Sequence, residues 1–274
     1  MKEKRAYLQA GKEAEVQRLS IQAGVWEKEA YSMLDEIGVQ SGWQCVDLGC
    51  GPVGILEPLS KKVGHKGRVV GIESDPIHII AATRMIQEKE LSNVEVVLQN
   101  AYKNLLACHS FDLTHARFIF TQAGQDAQLF ENMINLTRPG GVVAFQESDL
   151  SSWNCIPSHP AWEKIKKALI AIFELHGSGI NAIERNLMLF KEANMQEVQT
   201  RTAMIALPKE HAYRMGMNQL ARVLRDSIIE NGIIKADEFD QALQQCDVLT
   251  NDPNVSVTSY TLVQLWGTVP SKNQ

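Results

Sequence analysis

No stretch of this 274-residue chain approaches the run of about 20 apolar residues that crosses a bilayer. The first residues, MKEKRAYLQAGKEAEVQRL, lack the apolar centre of a secretory signal. A soluble, cytoplasmic protein with no membrane partner is therefore expected. Five cysteines (Cys45, Cys50, Cys108, Cys155, Cys246) form an odd set at irregular spacing with no CxxC pair, which argues against a disulfide framework or a zinc cluster. They read as small buried hydrophobes, and no metal is expected. A basic stripe is also missing: the net charge is −5 and lysines and arginines are scattered, so nucleic acid is a poor partner. There is no internal repeat and no low-complexity tract.

What is present is an alternation of short β-rich runs with helical segments. From Lys12 to Ile37, Val16, Leu19, Ala23, Trp26, Ala30, Met33 and Ile37 recur at three and four, marking one apolar helical face, continuous or broken near Gly24. QCVDLG, GRVVGIE, VEVVLQN, FDLTHA and GGVVAFQE then each precede a helix-like segment, which implies a parallel sheet covered on both faces. Beyond Glu147, helices are expected over Trp162–Leu175 and Ile180–Ala193, followed by a strand in EVQTRTAMIAL. Helices in MNQLARVLRDSIIENG and ADEFDQALQQC separate that strand from a last one in NVSVTSYTLVQLWGTV, and read as an insertion.

The chemistry concentrates in VDLGCGPVG. Gly49, Gly51 and Gly54 satisfy GxGxxG at a strand-to-helix turn, where a ligand can approach the main chain and the N–H groups of the next helix, with Pro52 suited to that helix's first turn. The pattern alone fits an NAD site or a mere tight turn. Asp47 shifts the balance: two residues before the first glycine, it would repel a pyrophosphate and attract an ammonium group. S-adenosylmethionine carries such a group, with a sulfonium and an adenosine and no phosphate. Glu73 ends the second strand about two dozen residues further on, where a nucleotide fold sets an acid against the ribose hydroxyls.

VDLGCGPVG, VVGIESDP, QNAYKNLL, FDLTHARFIF and LTRPGGVVAFQESD together resemble the successive motifs of class I S-adenosylmethionine-dependent methyltransferases over roughly Trp43–Asp149. GINAIERNLMLFKEANMQEV and the two later β segments are similar to that fold's last helix and strand pair, and the whole resembles bacterial small-molecule enzymes with lid helices. The resemblance implies an α/β fold: a Rossmann-like, doubly wound, mostly parallel sheet with an antiparallel C-terminal strand pair and inserted lid helices. Residues 1–42 would form an N-terminal helical lid, 43–150 the cofactor-binding core, and 151–274 the rest of the sheet with the substrate lid, in one domain overall. It also implies cofactor contacts at Tyr7, Asp47, Gly49, Gly51, Glu73, Ser74, Asn100, Ala101 and Arg117. Where the family usually has an Asp for the adenine amino group this chain has Asn100, whose side-chain oxygen can still accept.

Each of these has a plainer alternative. Arg117 could equally form an ion pair, and Tyr7 could pack on the surface. On the substrate side, His115 is a candidate base, and His115 and Arg117 share a strand face with Phe111 and Leu113. Glu147 and Asp149 could bind a polar group, accept a proton or cap the next helix. Trp153, Trp162, Met215 and Met217 could line an apolar pocket or simply be core. No residue stands out as the catalyst. The expected reaction transfers a methyl group from S-adenosylmethionine to an O, N or C nucleophile of a small molecule, such as a secondary metabolite, leaving S-adenosylhomocysteine. Lid-bearing enzymes of this kind are often homodimers. An NAD-dependent oxidoreductase and a non-catalytic cofactor-binding module are the competing readings.

Overall fold

The computed structural model describes residues 13–120, 126–177 and 182–271. Two helices come first, α1 (Glu13–Val25) and α2 (Glu27–Ile37). They are broken at Trp26, which stands as N-cap of α2, two residues beyond Gly24. The alternating core follows as β1 (Gln44–Leu48), α3 (Leu56–Val63), β2 (Arg68–Glu73), α4 (Pro76–Glu88), β3 (Val94–Leu98), β4 (Phe111–Arg117), α5 (Asp126–Leu136) and β5 (Thr137–Asp149). The rest is β6 (Cys155–Ile156), α6 (Pro160–Leu175), α7 (Ala182–Glu192), β7 (Gln196–Ala203), β8 (Ala206–Leu207), α8 (Gly216–Glu230), α9 (Ala236–Asn251), β9 (Ser256–Thr258) and β10 (Thr261–Thr268).

Seven strands form one sheet in the order β3-β2-β1-β4-β5-β10-β7. Neighbours from β3 to β5 pair in parallel, while β10 runs antiparallel to both β5 and β7. Helices carry the crossovers β1–β2, β2–β3 and β4–β5, whereas β3 passes to β4 through residues 99–110 without one, and helices cover both faces, as buried parallel strands require. On one face Cys45, Leu113, Ala144 and Trp266 meet Met33 and Leu34 of α2 and Leu56 and Leu59 of α3. On the other, Val46, Leu48, Val143 and Phe145 meet Leu129 and Met133 of α5 and Phe190 of α7. Phe111 packs on this second face, opposite Leu113, because the β4–β5 ladder shifts register between them. The strand face expected to run from Phe111 to Arg117 therefore starts only at Leu113.

The insertion has a third core. Trp153, Trp162, Ile165, Tyr213, Met217, Leu224, Phe239 and Tyr260 are buried together, and a small sheet, β6-β9-β8, closes it. The two late β segments that read as single strands are thus each divided, EVQTRTAMIAL into β7 and β8 and the last into β9 and β10, with one half in each sheet. Among the described residues, no helix is long and apolar enough to cross a membrane.

Candidate functional site

Open α/β sheets bind ligands beyond the carboxyl ends of their strands, beside the point where strand order reverses, here between β1 and β4. The glycine turn lies there. Gly49 (φ +66°) and Gly54 (φ +54°) are left-handed, and a Cβ would stand 2.6 Å from Ile119 Cδ1 at the first and 2.4 Å from Asp47 Oδ2 at the second. At Gly51 the nearest atom to such a Cβ is Leu19 Cδ1, 3.9 Å away. The turn is therefore packed tightly at Gly49 and Gly54 and only lightly touched, by Leu19 of α1, at Gly51, a cradle of main chain. Pro52 belongs to this turn and not to the first turn of α3, which begins only at Leu56.

Asp47 is 1% exposed. Its Oδ2 accepts from Ile55 N–H (3.2 Å) and its Oδ1 lies 2.7 Å from His115 Nδ1. That contact holds the imidazole proton on Nδ1, and among the described residues His115 Nε2 is buried with no hydrogen-bond partner. Glu73 is held by main chain: Oε1 accepts from Ser74 N–H (2.6 Å) and Asp75 N–H (2.8 Å), and Oε2 from Gly51 N–H (2.9 Å). His78 Nδ1 stands 3.8 Å from the same Oε2. Burial opposes the charged imidazole of His78, but Glu73, with Asp75 and Glu15 beyond it, outweighs burial and raises its pKa. Asp75 caps α4 by accepting from Ile77 N–H, with Pro76 as the first helical residue.

Ser74 and Asn100 are exposed at the tips of β2 and β3, where Asn100 Oδ1 accepts from Tyr102 N–H (2.8 Å). Ala101 is buried, and its carbonyl accepts from Asn132. Arg117 leans back across the turn to donate to Gly54 O (2.6 Å) and lies over the Phe118 ring. Among the described residues Arg117 forms no ion pair within contact distance; burial lowers its pKa against the more distant charge of Asp47. Phe118, with φ +56°, holds a left-handed backbone where β4 leaves the sheet, the kind of local strain that collects at functional sites.

On the substrate side, Glu147 is buried and Oε1 accepts from Ile119 and Phe120 N–H, tying down the β4 exit. Asp149 caps the short 3-10 turn Leu150–Ser152 through Ser151 N–H. Trp153 is core: it stacks on Tyr213 (centroids 5.7 Å apart), and its buried Nε1–H has no partner among the described residues. Trp162 and Met217 are core as well, whereas Met215 is half-buried at the start of α8. Tyr7 lies outside the described residues. Four cysteines are buried; burial pushes the Cys246 thiol up to about 12 and, with Asp47 and Glu73, raises Cys50 well above its ordinary value, so neither is a nucleophile. Cys108 departs from expectation and is exposed.

Sequence periodicity missed the inner face of α1. Glu15, Arg18 and Gln22 are buried there, whereas Val16 and Leu19 are only half-buried. Gln22 Nε2 donates to Tyr260 OH (2.7 Å) and Tyr213 OH (3.2 Å), and Trp26 Nε1 to Tyr260 OH (2.9 Å). The signal was the i, i+3, i+7 spacing of three polar residues, which reads as the solvent side of a helix until something polar is found beneath it.

The site thus offers an open main-chain cradle, an acid beside it at the β2 tip, and a polar helix above. A family described as "Methyltransferase domain" matches residues 40–225, and the chain belongs to that family. Its fold is that of the class I S-adenosylmethionine-dependent methyltransferases. A demethylmenaquinone methyltransferase of Listeria welshimeri is 24% identical over 143 residues, 52% of this chain and 57% of that protein. The chain spans about half the length of that curated relative. A phosphoethanolamine N-methyltransferase of Haemonchus contortus in complex with S-adenosyl-L-methionine superposes with TM-score 0.58 at 12% identity, covering 93% of this chain and 57% of that one. A geranyl diphosphate C-methyltransferase of Streptomyces coelicolor superposes with TM-score 0.53 at 15% identity, covering 88% and 78%.

Proposed function

We propose that this protein is a cytoplasmic S-adenosylmethionine-dependent methyltransferase acting on a compact, apolar small molecule of secondary metabolism, with no nucleic-acid partner. The observation that carries the reading is Glu73. Its carboxylate sits at the β2 tip, bonded to the N–H of Gly51, the glycine of the turn that is only lightly touched. Two vicinal ribose hydroxyls can replace such N–H donors, and the absence of a crowding side chain lets a ligand lie against the main chain.

When bound, S-adenosylmethionine supplies an activated methyl group that an acceptor nucleophile displaces in line, leaving S-adenosylhomocysteine. The chain's own part is positioning and exclusion of water, which together supply several kcal/mol or more. Gly49 and Gly51 present main chain to the ligand, Ser74 sits at the ribose end, and Asn100 and Ala101 flank the adenine. Arg117 stands at the methionine end beside Gly54. Asp47 works from beneath, holding Ile55 N–H and His115. Trp26 of the N-terminal helices, Phe118 at the β4 exit, and Tyr213 and Tyr260 of the insertion pack in one apolar cluster beside the turn, an environment that suits an apolar acceptor.

Titration with S-adenosylmethionine and with NADH, followed by transfer of an isotope-labelled methyl group over a panel of O, N and C acceptors, tests this. Binding of the first cofactor alone with labelled product supports the proposal. Binding of NADH overturns it in favour of an oxidoreductase, and cofactor binding with a blank panel favours a non-catalytic module.

A further inference from the structure

Asp47 is 1% exposed beneath the turn, and its two oxygens already hold Ile55 N–H and His115 Nδ1, so an amino-acid ammonium reaching it would have to share those oxygens. The complement to a zwitterion stands on the other side of the cradle, on α1. We propose that Glu15 and Arg18 receive the α-ammonium and α-carboxylate of the cofactor's methionine end, exchanging their mutual pair for the ligand's. The inference rests on the cofactor reading above.

Three observations converge. The first is place: Leu19, next to Arg18, is the nearest neighbour above Gly51, so this turn of α1 roofs the cradle. Glu15 lies within electrostatic reach of His78 beside Glu73, and both Glu15 and Arg18 within reach of Tyr213. The pair therefore spans the gap between the ribose acid and the tyrosines. The second is burial: Glu15 is 0% and Arg18 6% exposed on a short helix whose more apolar residues are only partly covered. Burying a charge pair there costs desolvation and adds little net stability, so it calls for another reason. The third is chemistry. Arg18 Nε donates to Glu15 Oε2 (2.8 Å) and Nη2 to Oε1 (2.6 Å), a bidentate fork of one guanidinium and one carboxylate. An α-amino acid carries the same two charges, one to match each member of the pair.

The test is calorimetric titration of the full chain with S-adenosylhomocysteine and with 5′-deoxy-5′-methylthioadenosine, which keeps the adenosine and thioether but lacks the amino-acid end. The wild type should prefer S-adenosylhomocysteine by about 10-fold or more, as two charge-assisted contacts imply. Glu15→Gln/Arg18→Met, which removes both charges together, should erase that preference while binding methylthioadenosine within about 3-fold of wild type. Glu15→Asp, a milder change should the double variant fold poorly, should reduce the preference. A double variant or Glu15→Asp protein with the wild-type ratio overturns the inference. So does an equal loss of both ligands, which would make the pair a structural brace. A wild type that binds neither ligand overturns the cofactor reading itself.

Discussion

Buried charge is settled in two ways in this chain. In the insertion, Arg214 is 3% exposed and its guanidinium donates to four main-chain carbonyls, those of Leu207, Thr250, Asp252 and Val255. It fastens β8 to the end of α9 and to the turn before β9, satisfying carbonyls that a helix terminus leaves open. At the carboxyl edge of the sheet, by contrast, Glu73 is held by the N–H groups of a glycine cradle, and Arg18 by Glu15. Four carbonyls that converge on one guanidinium lock it into the fold. A carboxylate held by cradle N–H groups or by a single side chain can instead take a ligand's donors in their place. The first arrangement is structure; the second is a site held in readiness.

Substitutions can break or sharpen that contrast. The largest effect is expected for Arg214→Met, which removes four hydrogen bonds to main-chain carbonyls, three of them buried, and should cost on the order of 4 kcal/mol or more in urea denaturation. Cofactor affinity of the folded fraction, measured in the cold, should be unchanged; a stable variant would mean that the carbonyls find other donors. Gly54→Ala comes next. Its Cβ would meet Asp47 Oδ2 at 2.4 Å and Cys50 O at 2.7 Å at a φ of +54°, and we expect a loss of about 2 to 3 kcal/mol together with weakened cofactor binding.

A smaller, pH-dependent effect belongs to His78. Its pKa is raised in the fold, so the charged imidazole beside Glu73 contributes stability fully below the unfolded value near about 6.5, and that contribution is lost as pH rises through the folded value. The stability gap between wild type and His78→Gln should therefore be widest in mild acid and narrow toward alkaline pH. A gap that widened with pH would reverse the assignment. Least of all should Trp153→Phe matter: the lost packing against Tyr213 is offset by removing a buried N–H that has no acceptor among the described residues, leaving stability within about 0.5 kcal/mol. A loss of several kcal/mol would show that this N–H has a partner after all.

The sheet's parallel half was legible because its strands are short apolar runs each closed by a glycine or an acid, and that punctuation is local. VDLGCGPVG and the acid ending GRVVGIE located the cradle and Glu73 for the same reason. What could not be read is decided by distant partners. Whether EVQTRTAMIAL is one strand or two depends on where Ile205 exchanges hydrogen bonds with Ser259, 54 residues away. The polar face of α1 was hidden because periodicity assigns apolar residues inward, a rule that fails where a helix covers polar atoms. His78 and Tyr260 carried no motif at all; only the fold brings them to the crevice.

The most direct measurement is calorimetric titration of S-adenosylhomocysteine into wild type and Glu73→Gln. If Glu73 grips the ribose, the variant, titrated below its unfolding midpoint, should bind about 10- to 100-fold more weakly. Equal affinity in the two proteins would contradict a nucleoside held at the β2 tip.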